Sequence, residues 1–247
     1  MLASPDLYAG VVPSGGMDDD TAVVTGATHG IGRAVAREFA DAGANVVIGA
    51  READEVDETV EALGESGGSV TGVRTDVRDQ FDVERLLETA ARFDSAGVDY
   101  IVANAGVYHG EPGDTPLPGD SYAAFDDHLR TNVRGVFATV REAVPHLADD
   151  ARVLVPTGSV AREAKPGTGS YAVSKAGAEA VARGFAADLD VPVGCVDPGV
   201  VATRLSGDGG RDPAAVAPMF RWAATEVDPG ELDGAVLDLR TSRSATR

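Results

Sequence analysis

The chain has almost no lysine: of its 21 basic residues, only Lys165 and Lys175 are lysines. It has one cysteine, Cys195, which excludes an intramolecular disulfide, and the apolar stretch 191–196 around it marks a buried structural thiol rather than a reactive one. Nowhere does an apolar run approach the ~18 residues needed to cross a bilayer. No Lys or Arg precedes a hydrophobic segment near the start, as a secretory signal would require. A soluble, cytoplasmic protein with no membrane partner is expected. Basic charge is scarce too: 40 acidic against 21 basic residues leave a net charge of -19, which excludes nucleic acid or an anionic lipid surface as a natural partner.

An acid-rich, lysine-poor surface is similar to those of proteins from high-salt cytoplasm, where screening relieves self-repulsion. Codon bias is the alternative, because Ala, Gly, Val, Asp and Arg are all abundant. Under either explanation a retained lysine is informative: lysine can share or release a proton and arginine cannot readily do so.

Residues 1–17 hold prolines and glycines with no sustained periodicity and read as a flexible tail. From there, 18–247 read as one domain, since no Ser/Pro/Gly linker divides them. Apolar, β-rich runs at 22–25, 45–48, 70–73, 100–103, 152–156, 192–196 and 236–239 predict seven strands. Amphipathic stretches at 31–42, 53–63, 80–92, 122–147, 170–189 and 213–224 predict the helices between them. This alternation implies right-handed βαβ units and an α/β fold of the Rossmann type: a doubly wound, parallel seven-stranded sheet with helices on both faces.

The first strand runs into a glycine turn, Thr25-Gly26-Ala27-Thr28-His29-Gly30-Ile31-Gly32, which opens the first helix. Gly26 permits the tight turn, Gly30 and Gly32 allow close approach of backbone and ligand, and the helix N-terminus near Ile31 offers free N–H groups to a pyrophosphate. At the end of the second strand stands Arg51, placed to accommodate a 2′-phosphate and so pointing to NADP; the adjacent Glu52 keeps NAD as the alternative. Asp76-Val77 follow the third strand and Asn104-Ala105-Gly106 the fourth, at carboxyl ends where open α/β sheets bind ligands. Tyr171 and Lys175, four residues apart, share one helix face. A free tyrosine titrates near about 10, and a neighbouring ammonium favours its ionised form, so the lysine is the expected tuner of a phenol acting as acid and base.

With these residues in hand, the chain resembles the short-chain dehydrogenase/reductase family of NAD(P)-dependent oxidoreductases in its single-domain form, over about 21–239. The turn 25–32 matches the cofactor turn, including Thr28, His29 and Ile31. Asp76-Val77 match the pair that contacts adenine, and Asn104-Ala105-Gly106 the segment bordering the cofactor. Asn132, Ser159, Tyr171 and Lys175 match the catalytic tetrad, and Pro198-Gly199-Val200-Val201-Ala202-Thr203 the Pro-Gly-x-x-x-Thr stretch beside nicotinamide. The resemblance implies reversible hydride transfer between NADP(H), or alternatively NAD(H), and a small-molecule carbonyl or alcohol. It implies that Tyr171 moves the proton and Ser159 holds the substrate oxygen. Lys175 lowers the phenol's pKa and holds the cofactor ribose, while Asn132 supports a water chain to Lys175. It implies a homodimer or homotetramer and calls for no metal. The rival function is a catalytically idle NADP-sensing regulator, which would be expected to lose the Tyr/Lys pair.

The chain departs from the family pattern in several places. Ser159 stands one residue nearer the tyrosine than is usual, Gly158 occupying the common position. His29 stands where many NADP-binding members carry Arg or Lys, Gly194 replaces a common asparagine, and 233–239 lack the frequent closing Asp-Gly-Gly. Substrate specificity is expected from 205–220 and 107–122, with Arg204 and Arg211 available for an anionic group.

Overall fold

The structure is a computed structural model and describes residues 16–64, 66–93 and 97–245. Residues 1–15 of the expected tail lie outside the described residues. Met17, read as the end of that tail, is fully buried, and its N–H donates to the Ala42 carbonyl at 2.9 Å, so it belongs to the packed body.

All seven expected strands are present: β1 (Thr21–Thr25), β2 (Asn45–Ala50), β3 (Val70–Arg74), β4 (Val98–Val102), β5 (Leu147–Pro156), β6 (Val193–Asp197) and β7 (Val236–Asp238). They form one sheet in the order β3-β2-β1-β4-β5-β6-β7, with every pairing parallel. Parallel neighbours need long crossovers. These are supplied by α1 (Gly30–Asp41), α2 (Ala53–Leu63), α3 (Gln80–Ala90), α4 (Tyr122–His128), α5 (Arg134–Ala143), α6 (Gly169–Asp188) and α7 (Pro213–Thr225), with the short α8 (Pro229–Leu232) and α9 (Leu239–Ala245) flanking β7.

Successive strand side chains point to opposite faces, and here both faces are covered, so the strands read as continuous apolar runs rather than as alternation. Ala22 and Val24 of β1, Val46 and Ile48 of β2, and Leu154 of β5 enter one core with Phe39 of α1 and Phe220 and Ala223 of α7. Val23, Val47, Val153 and Val155 enter the other, with Leu86 and Leu87 of α3, Val136 and Val140 of α5, and Ala178 and Ala182 of α6.

The short α8 and α9 are additional to the expected helices, and α9 takes Leu239 from the expected last strand; two longer elements also differ from expectation. The helix expected across 122–147 is broken: α4 passes into a π-helical turn, Leu129–Val133, before α5, and a 3₁₀ turn, Val144–His146, closes the stretch. Single π turns are frequent at functional sites because they re-aim one side chain, and Asn132 lies in this one. Strand β5 begins at Leu147 rather than Arg152, since Val98 pairs with Leu147 while Tyr100 pairs with Arg152 across a register shift. The exposed Asp149 and Asp150 occupy that irregular stretch, and no alternation in the sequence announces it.

The strand order reverses between β1 and β4. At that switch point, beyond the carboxyl ends of the strands, a cleft of ≈ 880 Å³ opens.

Candidate active site

One end of the cleft is built from backbone. Gly26 has φ 66°, a left-handed conformation that other residues adopt only at a cost, and a Cβ there would lie 2.8 Å from the Ala105 Cα. The turn is stitched to the end of β4. The Thr25 hydroxyl accepts from the N–H groups of Asn104 and Ala105 at 3.0 and 3.1 Å, and the Asn104 amide donates to the carbonyls of Thr25 and Gly26 at 2.9 and 3.1 Å. Helix α1 starts at Gly30 with His29 as its extended N-cap, and no acidic side chain occupies its first turn. Its free N–H groups therefore face the cleft uncompensated, an arrangement suited to a pyrophosphate.

Beside this turn lie several charged groups. Arg51, exposed at the end of β2, lines the cleft with His29, Glu52 and Glu55. The Glu55 carboxylate accepts from the Thr28 hydroxyl at 3.3 Å, lies 3.5 Å from the His29 ring, and pairs with Arg204 at 3.3 Å. Burial, ahead of the opposing pull of Glu55, holds the His29 ring below the usual imidazole range. Arg204 thus ties the loop after β6 to the glycine-turn side of the cleft.

The other end is built from side chains. Tyr171 and Lys175 stand on consecutive turns at the start of α6, and Ser159 opens a 3₁₀ turn, Ser159–Ala161, just after β5. Tyr108 packs its ring against Tyr171 with centroids 4.7 Å apart, and its hydroxyl is held by the Thr115 hydroxyl at 2.6 Å. Lys175 Nζ donates to the Pro156 carbonyl at 2.8 Å and lies 6.0 Å from the Tyr171 ring centroid. Burial pushes the Tyr171 phenol up to about 12, with Tyr108 adding to the shift, and burial pulls the Lys175 ammonium down. The expected lowering of the phenol's pKa by the lysine is not what the protein alone displays. Within the protein alone burial dominates, and the ammonium is turned to a carbonyl.

Asn132 is held to the protein by three side-chain hydrogen bonds. Its Oδ1 accepts from the Val107 N–H at 2.8 Å, and its Nδ2 donates to the Val107 carbonyl and to the Ser174 hydroxyl, both at 2.9 Å. The side-chain amide therefore clamps the segment after Asn104-Ala105-Gly106 to α6, with both of its amide protons used.

Residues 20–213 match the short chain dehydrogenase family. The chain belongs to this family. Among its relatives, 3beta-hydroxysteroid dehydrogenase 1 of Eggerthella lenta is 35% identical over 204 residues, which is 80% of this chain and 76% of that protein. A dehydrogenase/reductase from Sinorhizobium meliloti superposes with a TM-score of 0.80 at 28% identity, covering 90% of this chain and 94% of that one. The alcohol dehydrogenase of the archaeon Thermococcus sibiricus, solved with 5-hydroxy-NADP, gives 0.78 at 27% identity, over 89% of this chain and 95% of that one.

In this short-chain dehydrogenase the cleft gathers almost every residue singled out from sequence: Gly26, Thr28, His29, Gly30, Ile31, Arg51, Val77, Asn104, Ala105, Gly106, Asn132, Ser159, Tyr171, Lys175, Pro198, Gly199, Val201 and Thr203. Gly32 and Asp76 are not in its lining, nor is Arg211, whereas Arg204 is. A Cβ on Gly32 would lie 2.4 Å from both the Gly26 carbonyl and the Asn104 amide, so this glycine makes room for the turn itself. Asp76 has its carboxylate gripped by Arg78, through Nε at 3.0 and 3.1 Å and Nη2 at 2.7 Å, and Arg78 also reaches Asp127 at 3.0 Å. The Arg78 hydrogen bonds hold Asp76 below the usual carboxylate range. Sequence reasoning missed Glu55 as a cleft residue, because it stopped at Arg51-Glu52, although Glu55 follows one turn later on α2. Tyr108 lies within the 107–122 stretch expected to set specificity, and it lines the cleft. No helix among the described residues is long and apolar enough to cross a membrane.

Proposed function

We propose that the protein transfers hydride reversibly between NADP(H) and a small-molecule carbonyl or alcohol, with Tyr171 as proton donor and acceptor. The observation carrying this reading is the single cleft that puts Ser159, Tyr171 and Lys175 at one end and the glycine turn with Arg51 at the other. The glycine turn, the open N-terminus of α1 and the Pro198–Thr203 loop would hold the dinucleotide. Bound there, nicotinamide would supply or take the hydride.

A phenol pushed up to about 12 is protonated at neutral pH and ready to donate to an oxygen that becomes an alkoxide. Ser159, at the end of β5, would donate a hydrogen bond to that oxygen. Lys175 faces the same space. Swinging from the Pro156 carbonyl toward a ribose would bring its positive charge nearer the phenol and favour the phenolate needed in the oxidative direction. Tyr108 would wall the substrate beside Tyr171, and the apolar Val107, Val160 and Leu205 would exclude water around it.

Arg51 and Arg204, cations in the cleft lining, support NADP, as does the likeness to a protein solved with an NADP derivative. One observation favours NAD: Glu52 and Glu55 line the same end, and a carboxylate there suits a free ribose hydroxyl. A carbonyl panel assayed with NADPH and NADH in parallel, at low and high KCl, tests the reading. No cofactor oxidation with any ketone, aldehyde, sugar or 3-oxoacyl compound would leave the NADP-sensing alternative.

A further inference from the structure

Behind the chemical end of the cleft lies a buried ionic cluster that the proposed mechanism does not use. Glu179 and Asp197 are only 2% and 6% exposed, and two carboxylates so deep need compensation. One guanidinium supplies it: Arg162 Nη1 donates to Glu179 and Nη2 to Asp197. The remaining lone pairs are answered as well. The Thr157 hydroxyl donates to Glu179 at 2.7 Å, Arg183 lies 3.8 Å from its other oxygen, and the Gly199 N–H donates to Asp197 at 3.0 Å.

The three members belong to three pieces of the site. Arg162 closes the turn that carries Ser159, its own N–H donating to the Ser159 carbonyl at 3.0 Å. Glu179 lies on α6 one turn beyond Lys175 and two beyond Tyr171, on the same face. Asp197 ends β6, and its carboxylate fixes the start of the Pro198-Gly199 loop. A planar fork can hold two carboxylates in fixed geometry, whereas an ammonium cannot.

We propose that Arg162, Glu179 and Asp197 are positioning residues: their ionic clamp fixes the Ser159 turn to the Tyr171–Lys175 helix and to the loop that would border nicotinamide. This rests on the oxidoreductase reading above for its effect on turnover, though not for its effect on Lys175. The titratable groups that act on the Lys175 ammonium are Tyr171 and Glu179 on α6 and Asp197 and Cys195 on β6, with Arg162 reaching it only through the two carboxylates. Cys195, then the carboxylates of Glu179 and Asp197, oppose the downward pull of burial on the lysine.

Two variants test the clamp. Arg162→Lys keeps a charge but loses the fork. The triple variant Arg162→Met, Glu179→Gln, Asp197→Asn removes all three charges together and so leaves no buried carboxylate unpaired. Both are expected to lose at least about tenfold in kcat with NADPH Kd within about threefold of wild type; the triple variant keeps the wild-type melting temperature, whereas Arg162→Lys melts lower because one buried carboxylate loses its partner. A kcat within about twofold of wild type in a folded variant overturns the proposal, as does a parallel collapse of kcat, Kd and melting temperature, which would mark general structural damage. If the triple variant does not fold, Arg162→Lys decides by the same criteria.

Should the wild-type protein turn over no carbonyl, the oxidoreductase reading fails, and the clamp is then judged on Lys175 itself. The chain has only two lysines, so protein labelled with ¹³C at lysine Cε gives two NMR signals, assigned with Lys165→Arg. The Lys175 midpoint is expected to fall by at least about half a pH unit when the two carboxylates are neutralised. A midpoint that stays in place overturns the proposal by showing that the clamp does not reach the lysine.

Discussion

The two ends of the cleft are built in opposite ways. At the glycine turn, position is set by missing atoms: Gly26 adopts a positive φ, Gly32 leaves 2.4 Å where a Cβ would stand, and the groups facing the ligand region are backbone N–H donors. At the Tyr171 end, position is set by side chains held through their polar tips: Asn132 by the Val107 backbone and the Ser174 hydroxyl, Lys175 by the Pro156 carbonyl, Tyr108 by the Thr115 hydroxyl. The first end tolerates little added volume and the second tolerates little lost polarity. Substitutions that add a methyl group should therefore damage the glycine turn, and substitutions that remove one oxygen should damage the chemical end.

The sharpest test of that contrast is Tyr171→Phe. It removes one oxygen and keeps the ring packed against Tyr108 at 4.7 Å. A positioned general acid is worth about 10²–10⁴-fold, so kcat should fall by that order while NADPH affinity, followed by cofactor fluorescence, stays nearly constant. Retention of more than about a tenth of kcat, a barrier change under about 1.4 kcal/mol, would remove Tyr171 from the role.

The converse test is Gly32→Ala. Alanine improves helix propensity over glycine by about 1 kcal/mol, but the new Cβ would press on the Gly26 carbonyl at 2.4 Å. Overpacking costs about 1–3 kcal/mol, and because the obstacle is backbone rather than a flexible side-chain tip, the cost should win. Urea unfolding should show a net loss of about 1 kcal/mol, with NADPH Kd raised at least about tenfold as the turn opens. An unchanged midpoint with unchanged Kd would show that the turn has slack the geometry does not suggest.

The same contrast explains what was legible in the sequence. Spacing announced the glycine turn, the Tyr171/Lys175 pair and all seven strands, because each depends on neighbours close in the chain. The Asn132 clamp depends on a π turn, and a periodic apolar pattern running from Tyr122 onward hides the extra residue. The grip of Arg78 on Asp76 was hidden for another reason: Asp76-Val77-Arg78 reads equally well with the carboxylate facing a ligand or facing the next arginine. The Arg162, Glu179 and Asp197 cluster was invisible because its members come from three segments brought together only by the order of β5, α6 and β6.

Arg51→Asp probes the glycine-turn end through charge rather than volume. It replaces a cation by a carboxylate beside Glu52 and Glu55, so a 2′-phosphate would meet three acids where it now meets two and an arginine. The NADPH/NADH ratio of kcat/KM should fall by at least about tenfold, the scale of one charge-assisted contact. A ratio that does not fall makes Arg51 a surface arginine and moves the preference to NAD.

The smallest expected effect per residue lies on α2, which carries Glu55 into the cleft. Its sequence, Ala53–Leu63, holds no basic residue, and Asp54, Asp57, Glu58 and Glu61 are all exposed. Asp54 and Glu58, and Asp57 and Glu61, are spaced four apart on the helix, where like charges cost about 0.2–0.5 kcal/mol per pair. Added to the net charge of -19, this repulsion opposes the compact state until counterions shorten the screening length to about 3 Å near 1 M salt. The melting temperature and the activity should therefore rise with KCl into the molar range. Sulfate salts strengthen apolar burial as well as screening, so comparing chloride with sulfate separates the two contributions. Glu58→Lys and Glu61→Lys together turn two repulsive pairs into attractive ones, and should raise the melting temperature at low KCl while flattening its salt dependence. A wild-type melting temperature that is flat or falls between about 0.1 and 2 M KCl would assign the acidic surface to codon bias. A double variant that melts like wild type at low salt would place the repulsion elsewhere than α2.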